Sequence, residues 1–457
     1  MSIKQQFRTT MKKVNGDLLT PILIFSRLQG ERKFLLESSS KNDNTGRYSF
    51  IGANPRKTYS GSETTLVEQS HLTNQTYHYE GNLIQSLKQV MPRISNHTEY
   101  PFTGGAIGYI RYGATQLASV QKQDALNLPT VNFHVYDTMI IFDHMTDELI
   151  IFHTNIEAEQ KEPNLDELIE QLLNGKPAET TDYTLSEFRL QQADELFDQQ
   201  VTELQQAATI QQGGQVVLSR RFDADFDGDA FALYRKLRVE NPAAYMYYIA
   251  FDDHTIVGSS PESLLSVNNG VVSTKLVAGS RPRGTSTTDD IEIELALLGD
   301  KDEIAHHNTL IDIATADLQQ ITVPDSVEVT NYLTTIRSQH LMQLLSEIEG
   351  QLSPTLHAID ALVHCLPAGS ITGSPKQQAI ELIEQVETVE RGFYGGALGY
   401  IGFNGQIDFT LISRTILIQE KLATIQSGTF INAQTKVKDA TQQILMKSDS
   451  LCALAKG

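Results

Sequence analysis

The sequence contains two nearly identical glycine-rich strings, GGAIGYI at residues 104–110 and GGALGYI at residues 395–401. Each string is followed by a pattern typical of two strands. One interpretation is a repeated strand in which small residues let two backbones approach closely. The other interpretation is a pair of related halves folded about a pseudo-twofold axis. In either case, the second string is the one with charged neighbours, Arg391 and Arg414.

Outward from these strings, strand-like and helix-like segments alternate along the chain. Residues 46–52, 131–142 and 148–153 mix aromatic and β-branched residues, which predicts strands in the first third. A polar segment ending at residues 174–177 marks a boundary, and apolar residues at helical spacing predict a long helix over 188–208. Further helices are predicted at 291–298, 303–318, 338–349 and 376–386. The pattern indicates an α+β protein without a repeated βαβ unit.

The composition excludes several classes of protein. Lys and Arg together number 36 and Asp and Glu number 56, so the formal net charge of the 457 residues is −20. Such a surface repels phosphate backbones and anionic lipids, so no nucleic-acid or membrane partner is expected. Two cysteines, Cys365 and Cys452, cannot build a disulfide framework or a cysteine-rich zinc site. Without an apolar leader or a membrane-length apolar run, a cytoplasmic protein is predicted.

The chemistry-bearing motifs are short strings, most of them in the second half. The chain has no GxSxG elbow, Walker A motif, HExxH or CxxC. It does contain SSPES (259–263), AGSRPRG (278–284), SEIEG (346–350), PAGSITGSPK (367–376), RGFYGGALGYIGFNG (391–405), SRT (413–415), LLESS (35–39) and GRYSFIG (46–52). In this combination of strings, the chain resembles the component I family of anthranilate synthases, which use chorismate. The resemblance runs nearly from end to end.

The resemblance implies a fold and a reaction. The expected fold is α+β, with two β-sheets packed face to face and helices outside. A tryptophan-binding regulatory region is expected at residues 1–180, and a chorismate-binding catalytic region at residues 185–455. The expected activity adds ammonia to chorismate and releases anthranilate and pyruvate, as a step of tryptophan biosynthesis under feedback inhibition by tryptophan. Neither cysteine lies in a nucleophile context, so a separate glutamine amidotransferase subunit is expected to supply the ammonia.

The resemblance also assigns residues to the substrate site. Chorismate carries two carboxylates, so an acidic protein must place local cations and N–H donors around it. Arg414 is expected to pair with the carboxylate of the enolpyruvyl side chain, and Tyr394 to add its hydroxyl. Glu262 is a candidate proton carrier, and Ser370 is expected to touch the substrate ring. The other expected substrate contacts are Gly279, Ser280, Gly428, Thr429 and Phe430.

Two positions distinguish this chain from other chorismate-using enzymes. Aminodeoxychorismate synthases carry a nucleophilic lysine where this chain has Ala278, and isochorismate and salicylate synthases carry a general-base lysine where it has Gln215. Neither side chain can form the covalent bond or activate the water that those reactions require. Both positions therefore favour ammonia as the nucleophile and anthranilate as the product.

A tryptophan site is implied in the first half. Glu37 and Ser38 match the family's tryptophan-binding signature, and the segment 241–246 matches the one that closes over the inhibitor. A carboxylate would face the ligand's ammonium, and a wall of Tyr and Met side chains would cover the indole. The expected closing residues are Asn241, Ala244, Tyr245 and Met246.

The chain departs from the family at its metal ligands. The family holds one Mg²⁺ with glutamates, and here only Glu303 remains on the first of the two helices, with His306 in place of the second glutamate. Alignment on Lys447 places Ala440 and Gln443 at the other two positions. Glu303, His306 and Gln443 are therefore the predicted ligands of an altered Mg²⁺ site. A site containing an imidazole also suits Mn²⁺.

Two further departures affect catalysis. Gln343 stands at the position of the family's catalytic histidine, and His340 lies three residues earlier, which would be one turn of a helix. Phe430 ends a string whose backbone N–H groups bind a carboxylate in the family, and its ring is expected to crowd the site.

Two function hypotheses follow from these observations. The first is a working anthranilate synthase component I with an altered metal site. The second is a binding or regulatory protein on the same fold, which binds tryptophan or the amidotransferase without catalysis. A third possibility, another chorismate-using reaction, is disfavoured by Ala278 and Gln215. Formation of fluorescent anthranilate from chorismate and ammonia would separate the first two hypotheses.

Overall fold

The computed structural model describes residues 8–38, 46–62, 64–94, 98–114, 126–157, 163–337 and 341–456. These residues form two large antiparallel sheets that share one interior, and helices cover the outer faces. The predicted α+β architecture with two packed sheets is therefore confirmed.

Many of the strands are buried at almost every residue, as expected for strands that are covered on both faces. In chain order they are β1 (Arg8–Asn15), β2 (Phe34–Glu37), β3 (Tyr48–Gly52), β4 (Lys57–Ser62), β5 (Thr65–Ser70), β6 (Thr76–Glu80), β7 (Gly105–Ile110), β8 (Val131–Tyr136), β9 (Thr138–Asp143), β10 (Glu148–Asn155), β11 (Tyr183–Leu185), β12 (Arg189–Leu190), β13 (Gln215–Gly228), β14 (Tyr245–Ala250), β15 (His254–Ser260), β16 (Ser263–Asn268), β17 (Val271–Pro282), β18 (Glu328–Arg337), β19 (Leu341–Gln351), β20 (Gly373–Ser374), β21 (Ala397–Gly402), β22 (Ile407–Leu411), β23 (Thr415–Gln419) and β24 (Leu422–Ile431).

Several helices begin at side chains that cap their free N–H groups. Thr20 caps the first helix ahead of a proline, and Asp300 caps the helix that carries Glu303. The helices are α1 (Pro21–Arg27), α2 (Leu83–Val90), α3 (Leu165–Asn174), α4 (Asp194–Gln206), α5 (Ala208–Gln211), α6 (Ala230–Glu240), α7 (Thr287–Gly299), α8 (Lys301–Gln319), α9 (Ala358–Cys365), α10 (Gly369–Thr372), α11 (Lys376–Val386) and α12 (Val437–Cys452).

The two glycine-rich strings pair with each other at the centre of one sheet. Strands β7 and β21 run antiparallel, and Gly108 lies opposite Gly399, the same position of each string. Outward from this pair, β8, β4 and β5 follow on one side, and β22, β16 and β17 follow on the other. The second sheet repeats the relation, with β1-β10-β9-β3-β2 meeting β14-β15-β23-β24-β13. The pseudo-twofold interpretation of the repeat is therefore confirmed.

Three large apolar clusters of the described residues hold these layers together. The cluster between the sheets is rich in aromatic residues, such as Phe34, Tyr109 and Tyr247, all of them fully or almost fully buried. The other two lie between each sheet and its helices. Burying one such large side chain contributes about 1.5–3 kcal/mol. The fold thus depends on strands that are apolar on both faces, as burial of the whole of β7 and of β21 illustrates.

Two predicted helices differ in the structure. Residues 341–351 of the predicted helix 338–349 form β19, in which Met342, Leu344, Ser346 and Ile348 are buried at every second residue. The period of two fits a strand between β17 and β18, and residues 338–340 lie outside the described residues. The helix predicted over 188–208 begins only at Asp194, because Arg189 and Leu190 pair with β13.

Both regions of the chain contribute strands to both sheets. Strands before residue 180 form one side of each sheet, and strands after residue 185 form the other. The sheets therefore join the two regions along β2–β14 and β7–β21. In the described part of the chain, the helices are too short or too polar to cross a bilayer.

The central glycine pair generates a stability prediction. A Cβ at Gly399 would lie 2.0 Å from the carbonyl oxygen of Asp408, and one at Gly108 would lie 1.9 Å from that of Asn132. Because backbone atoms of neighbouring strands cannot give way cheaply, Gly399→Ala should lower the free energy of unfolding by about 2–3 kcal/mol. Gly299→Ala, where a Cβ meets no atom within 4 Å, is the control. Equal urea midpoints for the two variants would contradict this account.

Candidate functional site

Polar residues in the second half of the pseudo-symmetric fold line two small cavities, which together are called the cleft: Glu262 and Ser370 line one, and Tyr394 and Arg414 line the other. Its residues come from the loop between β15 and β16, from α10, from the segment before β21, from the loop between β22 and β23, and from β24 and α12. From these elements the structure brings together Glu262, Ser370, Tyr394, Arg414, Gly428 and Lys447.

Glu262 is the carboxylate of the cleft. Ser370 at the start of α10 donates a hydrogen bond to Glu262 Oε2 over 3.2 Å. Burial raises the pKa of Glu262, although the Ser370 hydrogen bond and the charges of Arg414 and Lys447 oppose the rise. A carboxyl group that holds a proton more readily than usual is suited to proton transfer. Two residues predicted from separate motifs therefore meet in one hydrogen-bonded pair.

Arg414 faces Glu262 from the loop between β22 and β23. Its backbone has a φ of 45°, an uncommon left-handed conformation for a residue with a side chain. Within the described ranges, its guanidinium makes no hydrogen bond or ion pair. Burial lowers its pKa, and the charge of Glu262 opposes that effect. The strained backbone thus holds a partly buried guanidinium whose N–H donors, among the described residues, remain available for an anion.

Tyr394 closes the cleft beside β24. Its hydroxyl lies so close to Gly428 that a Cβ at that glycine would be only 2.8 Å away. Burial raises the pKa of Tyr394, so the phenol stays protonated and can donate a hydrogen bond. β24 pairs with β23 only over residues 422–424, so from residue 425 onward its second edge is not covered by β23. On this edge the backbone of Gly428 bonds the Tyr394 hydroxyl and accepts a hydrogen bond from Lys447.

Lys447 on α12 is a member of the cleft that sequence reasoning missed. In the sequence, Lys447 served only as the reference point for aligning α12. Its Nζ donates to the carbonyl oxygen of Gly428 over 3.0 Å, and its charge acts on both Glu262 and Arg414. The Lys447 side chain is partly exposed at the surface. The protein atoms around it still reduce its hydration, which lowers its pKa. The available sequence signal was a lysine four residues after Gln443, on the same helix face.

Gly279, Ser280 and Gln343 form a second wall. Gly279 lies in a bulge of β17, and a Cβ there would be 3.4 Å from Glu303 Oε2. Gln343 on β19 donates its amide to Ser280 Oγ over 3.0 Å. Because this segment is a strand, the relation of one helical turn that linked Gln343 to His340 does not hold, and His340 lies outside the described residues.

The three residues predicted as metal ligands do not form a site that fits Mg²⁺. Glu303 makes an ion pair with Arg281 over 2.9 Å, and Gln443 accepts a hydrogen bond from Thr429. The ring of His306 packs against Phe430 with centroids 4.6 Å apart. In the ranges that the structure describes, no three His, Cys, Asp or Glu side chains are placed to share a metal ion. The altered Mg²⁺ site of Glu303, His306 and Gln443 stays a prediction, and these contacts count against it, since Mg²⁺ requires several oxygen ligands.

The predicted tryptophan-site residues divide between two faces of a sheet. Glu37 on β2 lies opposite Met246 on β14. Its Oε1 accepts hydrogen bonds from Tyr234 over 2.5 Å and from Arg238 over 2.6 Å. Asn241 ends α6 and donates to Ser450 Oγ. The carboxylate predicted to meet an ammonium group is thus already paired with a guanidinium.

Tyr245 lies on the other face. Successive residues of a strand point to opposite sides, so Met246 packs toward the helices and Tyr245 points between the sheets. The Tyr245 hydroxyl donates to Asp408 Oδ1 over 2.9 Å. The expected common wall of Tyr245 and Met246 is therefore wrong. Ala244 is half-buried just before β14, and Ser38 follows the end of β2.

Known proteins match this chain over nearly its whole length. A model of the family described as chorismate binding enzyme matches residues 31–452. Anthranilate synthase component 1 of Lactococcus lactis is 33% identical over 450 residues, which cover 96% of this chain and 98% of the relative. The corresponding protein of Acetivibrio thermocellus is 32% identical over 93% of this chain and 90% of its own.

The solved structures show the same likeness. The crystal structure of anthranilate synthase component I from Streptococcus pneumoniae aligns with a TM-score of 0.80 and 31% identity, over 96% of this chain and 98% of the other. The menaquinone-specific isochorismate synthase of Escherichia coli aligns with a TM-score of 0.73 at 17% identity, over 98% and 94% of the two chains. The second likeness concerns the fold alone.

Asp408 generates a prediction of pH-dependent stability. Burial raises its pKa from 3.8 to about 6, although the Tyr245 hydrogen bond opposes the rise. The folded state therefore binds this proton more tightly than the unfolded state, and stability should fall as the pH rises from about 4 to about 6. The loss should be on the order of 1–3 kcal/mol and complete above pH 6.

Asp408→Asn should remove this loss, because an amide keeps an acceptor for Tyr245 and carries no charge. Urea unfolding between pH 4.5 and pH 7.5 measures the effect. Glu328→Gln, at an exposed position of β18, is the control and should follow the native profile. An unchanged pH profile in Asp408→Asn would show that this carboxyl is not the titrating group.

Proposed function

The chain belongs to the family of chorismate-binding enzymes, and from this premise we propose that it converts chorismate and ammonia to anthranilate, pyruvate and water. One observation carries the proposal: the cleft places the Arg414 guanidinium, which makes no hydrogen bond or ion pair among the described residues, and the amine of Lys447 around Glu262. Two cations facing one carboxyl group leave an excess of positive charge. That excess suits a substrate with two carboxylates.

Positioning and proton transfer are the tasks of the named side chains. Arg414 binds one substrate carboxylate through its fork of N–H donors, and the Tyr394 hydroxyl adds a donor. Glu262, whose pKa is raised by burial, carries the protons that move when the C–N bond forms and the leaving oxygen departs. Ser370 holds the Glu262 carboxyl in position.

The identity of the nucleophile follows from two positions whose side chains can neither attack the substrate nor activate water. Gln215 begins β13 beside Ser374, and Ala278 adjoins the bulge of β17. Neither position carries an amine that could attack the ring or activate water. Ammonia is therefore the nucleophile. Relatives carry the name component 1, which supports the proposal that a glutamine amidotransferase subunit delivers this ammonia.

We also propose that tryptophan inhibits the protein by binding beside Glu37 and Ser38. The ligand's ammonium would exchange with Arg238 at the Glu37 carboxylate, one cation replacing another. Arg238 is half exposed and can move into solvent at little cost, whereas the Glu37 side chain is almost fully buried.

A second candidate function is binding without catalysis. The observation that favours it is the pairing of Glu303, Gln443 and His306 with other side chains. A continuous assay of anthranilate fluorescence, with chorismate and ammonium at alkaline pH, decides between the two. Anthranilate formation supports the synthase, and its absence alongside measurable chorismate binding supports the binding protein.

Arg414→Ala should weaken chorismate binding by about 2–5 kcal/mol, because the variant leaves a substrate carboxylate unpaired in a partly buried site. Arg414→Lys should lose less, since it keeps the charge but not the planar fork. Titration calorimetry with chorismate measures both variants. Arg189→Ala, which breaks an exposed ion pair with Asp225, is the control and should bind normally. Native affinity in Arg414→Ala would remove this residue from the site.

Ser38→Ala should weaken tryptophan binding by about 0.5–1.5 kcal/mol through loss of one hydrogen bond. Glu37→Gln should weaken it more, because the ammonium loses its counter-charge. Calorimetry with tryptophan tests both, and Glu31→Gln at an exposed position is the control. Should the native protein bind no tryptophan at all, the regulatory proposal is wrong.

A further inference from the structure

We infer that the cleft binds its dicarboxylate substrate without a divalent cation, and that Lys447 supplies the second positive charge beside Arg414. The inference rests on the proposed function for the substrate class. It departs from the Mg²⁺ dependence expected of the family and makes Lys447 a specificity-determining residue of this chain.

A divalent metal ion at this site would need negative charge from its ligands. The helix face that would present glutamates carries the neutral Gln443, and its oxygen is engaged with Thr429. Ala440 is fully buried in the helix-side core and has no ligand atom. On α8, Glu303 is neutralised by Arg281, which also pairs with Asp300 over 2.7 Å. The remaining carboxylate charge is too small to hold Mg²⁺ against its hydration.

The space beside Phe430 also speaks against a hydrated Mg²⁺ ion. Phe430 fills the gap between β24 and α8 and lies edge-on to the ring of His306. An apolar ring at this point excludes the water molecules that Mg²⁺ keeps in its coordination shell. A divalent ion here would also be repelled by the ammonium of Lys447, whose charge reaches His306.

Lys447 supplies the positive charge that replaces the metal. The ammonium of Lys447 has three donors and spends one of them on the carbonyl oxygen of Gly428. The other two can point into the cleft. Arg414 and Lys447 lie close enough for each to act on Glu262, so two cations face the space between the walls. These cations balance the two carboxylates of the substrate without a bridging ion.

The test is titration calorimetry of the full-length protein with chorismate, in EDTA and then in millimolar Mg²⁺. The inference expects dissociation constants that agree within about twofold in the two buffers. Lys447→Gln should weaken binding at least about tenfold in both, because one charge-assisted hydrogen bond is lost. Lys438→Gln, at an exposed lysine of the same helix, is the matched control and should bind like the native protein.

A gain-of-function variant tests the absence of a Mg²⁺ site independently of Lys447. His306→Glu combined with Gln443→Glu restores two carboxylates, and its chorismate binding should become tighter in Mg²⁺ than in EDTA. Titration of Mg²⁺ alone should give heat with this variant and none with the native protein.

The outcomes separate the inference from the proposed function. Tightening of native chorismate binding by tenfold or more in Mg²⁺, or normal binding by Lys447→Gln, would overturn the inference and leave the reaction standing. Metal-independent binding without anthranilate formation would support the inference and overturn the proposed reaction. Absence of chorismate binding in both buffers would overturn both.

Discussion

The buried ion pair between Arg391 and Glu387 is the interaction on which the site depends. The guanidinium donates to both carboxylate oxygens, over 2.7 and 2.8 Å, and both side chains are almost fully buried. Arg391 also donates to the backbone oxygens of Val217 and Ile371, and Glu387 accepts from the N–H and hydroxyl of Ser219. Losing one partner of such a pair costs about 3–5 kcal/mol, because the other charge stays buried.

This network fixes the geometry of the cleft. It ties β13 to α10 and to the segment that carries Tyr394, whose ring lies beside the Arg391 guanidinium. Since β24 pairs along β13, the same contacts fix the position of Gly428 opposite Ser219. Gly428 in turn positions Lys447 through its carbonyl oxygen. An acidic protein thus keeps a local excess of positive charge where backbone and side-chain donors converge.

Side chains explain why, among the described residues, the cleft lies in the second half of the pseudo-symmetric fold. The loop between β8 and β9 matches the loop between β22 and β23, but it contains Asp137, which is ion-paired to Arg56 over 2.7 Å. In the second half the matching loop presents Arg414 without a side-chain partner among the described residues. The strand order is repeated in the two halves, and the side chains of these loops decide which half can bind an anion.

The sequence by itself indicated the fold class, the repeated strings and most of the residues around Glu262 and Arg414, because these follow from short local strings. It also determined which amines are missing, at Gln215 and Ala278. Only the tertiary structure decided that β19 is a strand, because its apolar residues permit either period until β17 and β18 pair with it. Only packing placed Tyr245 between the sheets, brought Lys447 to Gly428 and paired Glu303 with Arg281, because each contact joins residues from separate elements of the chain.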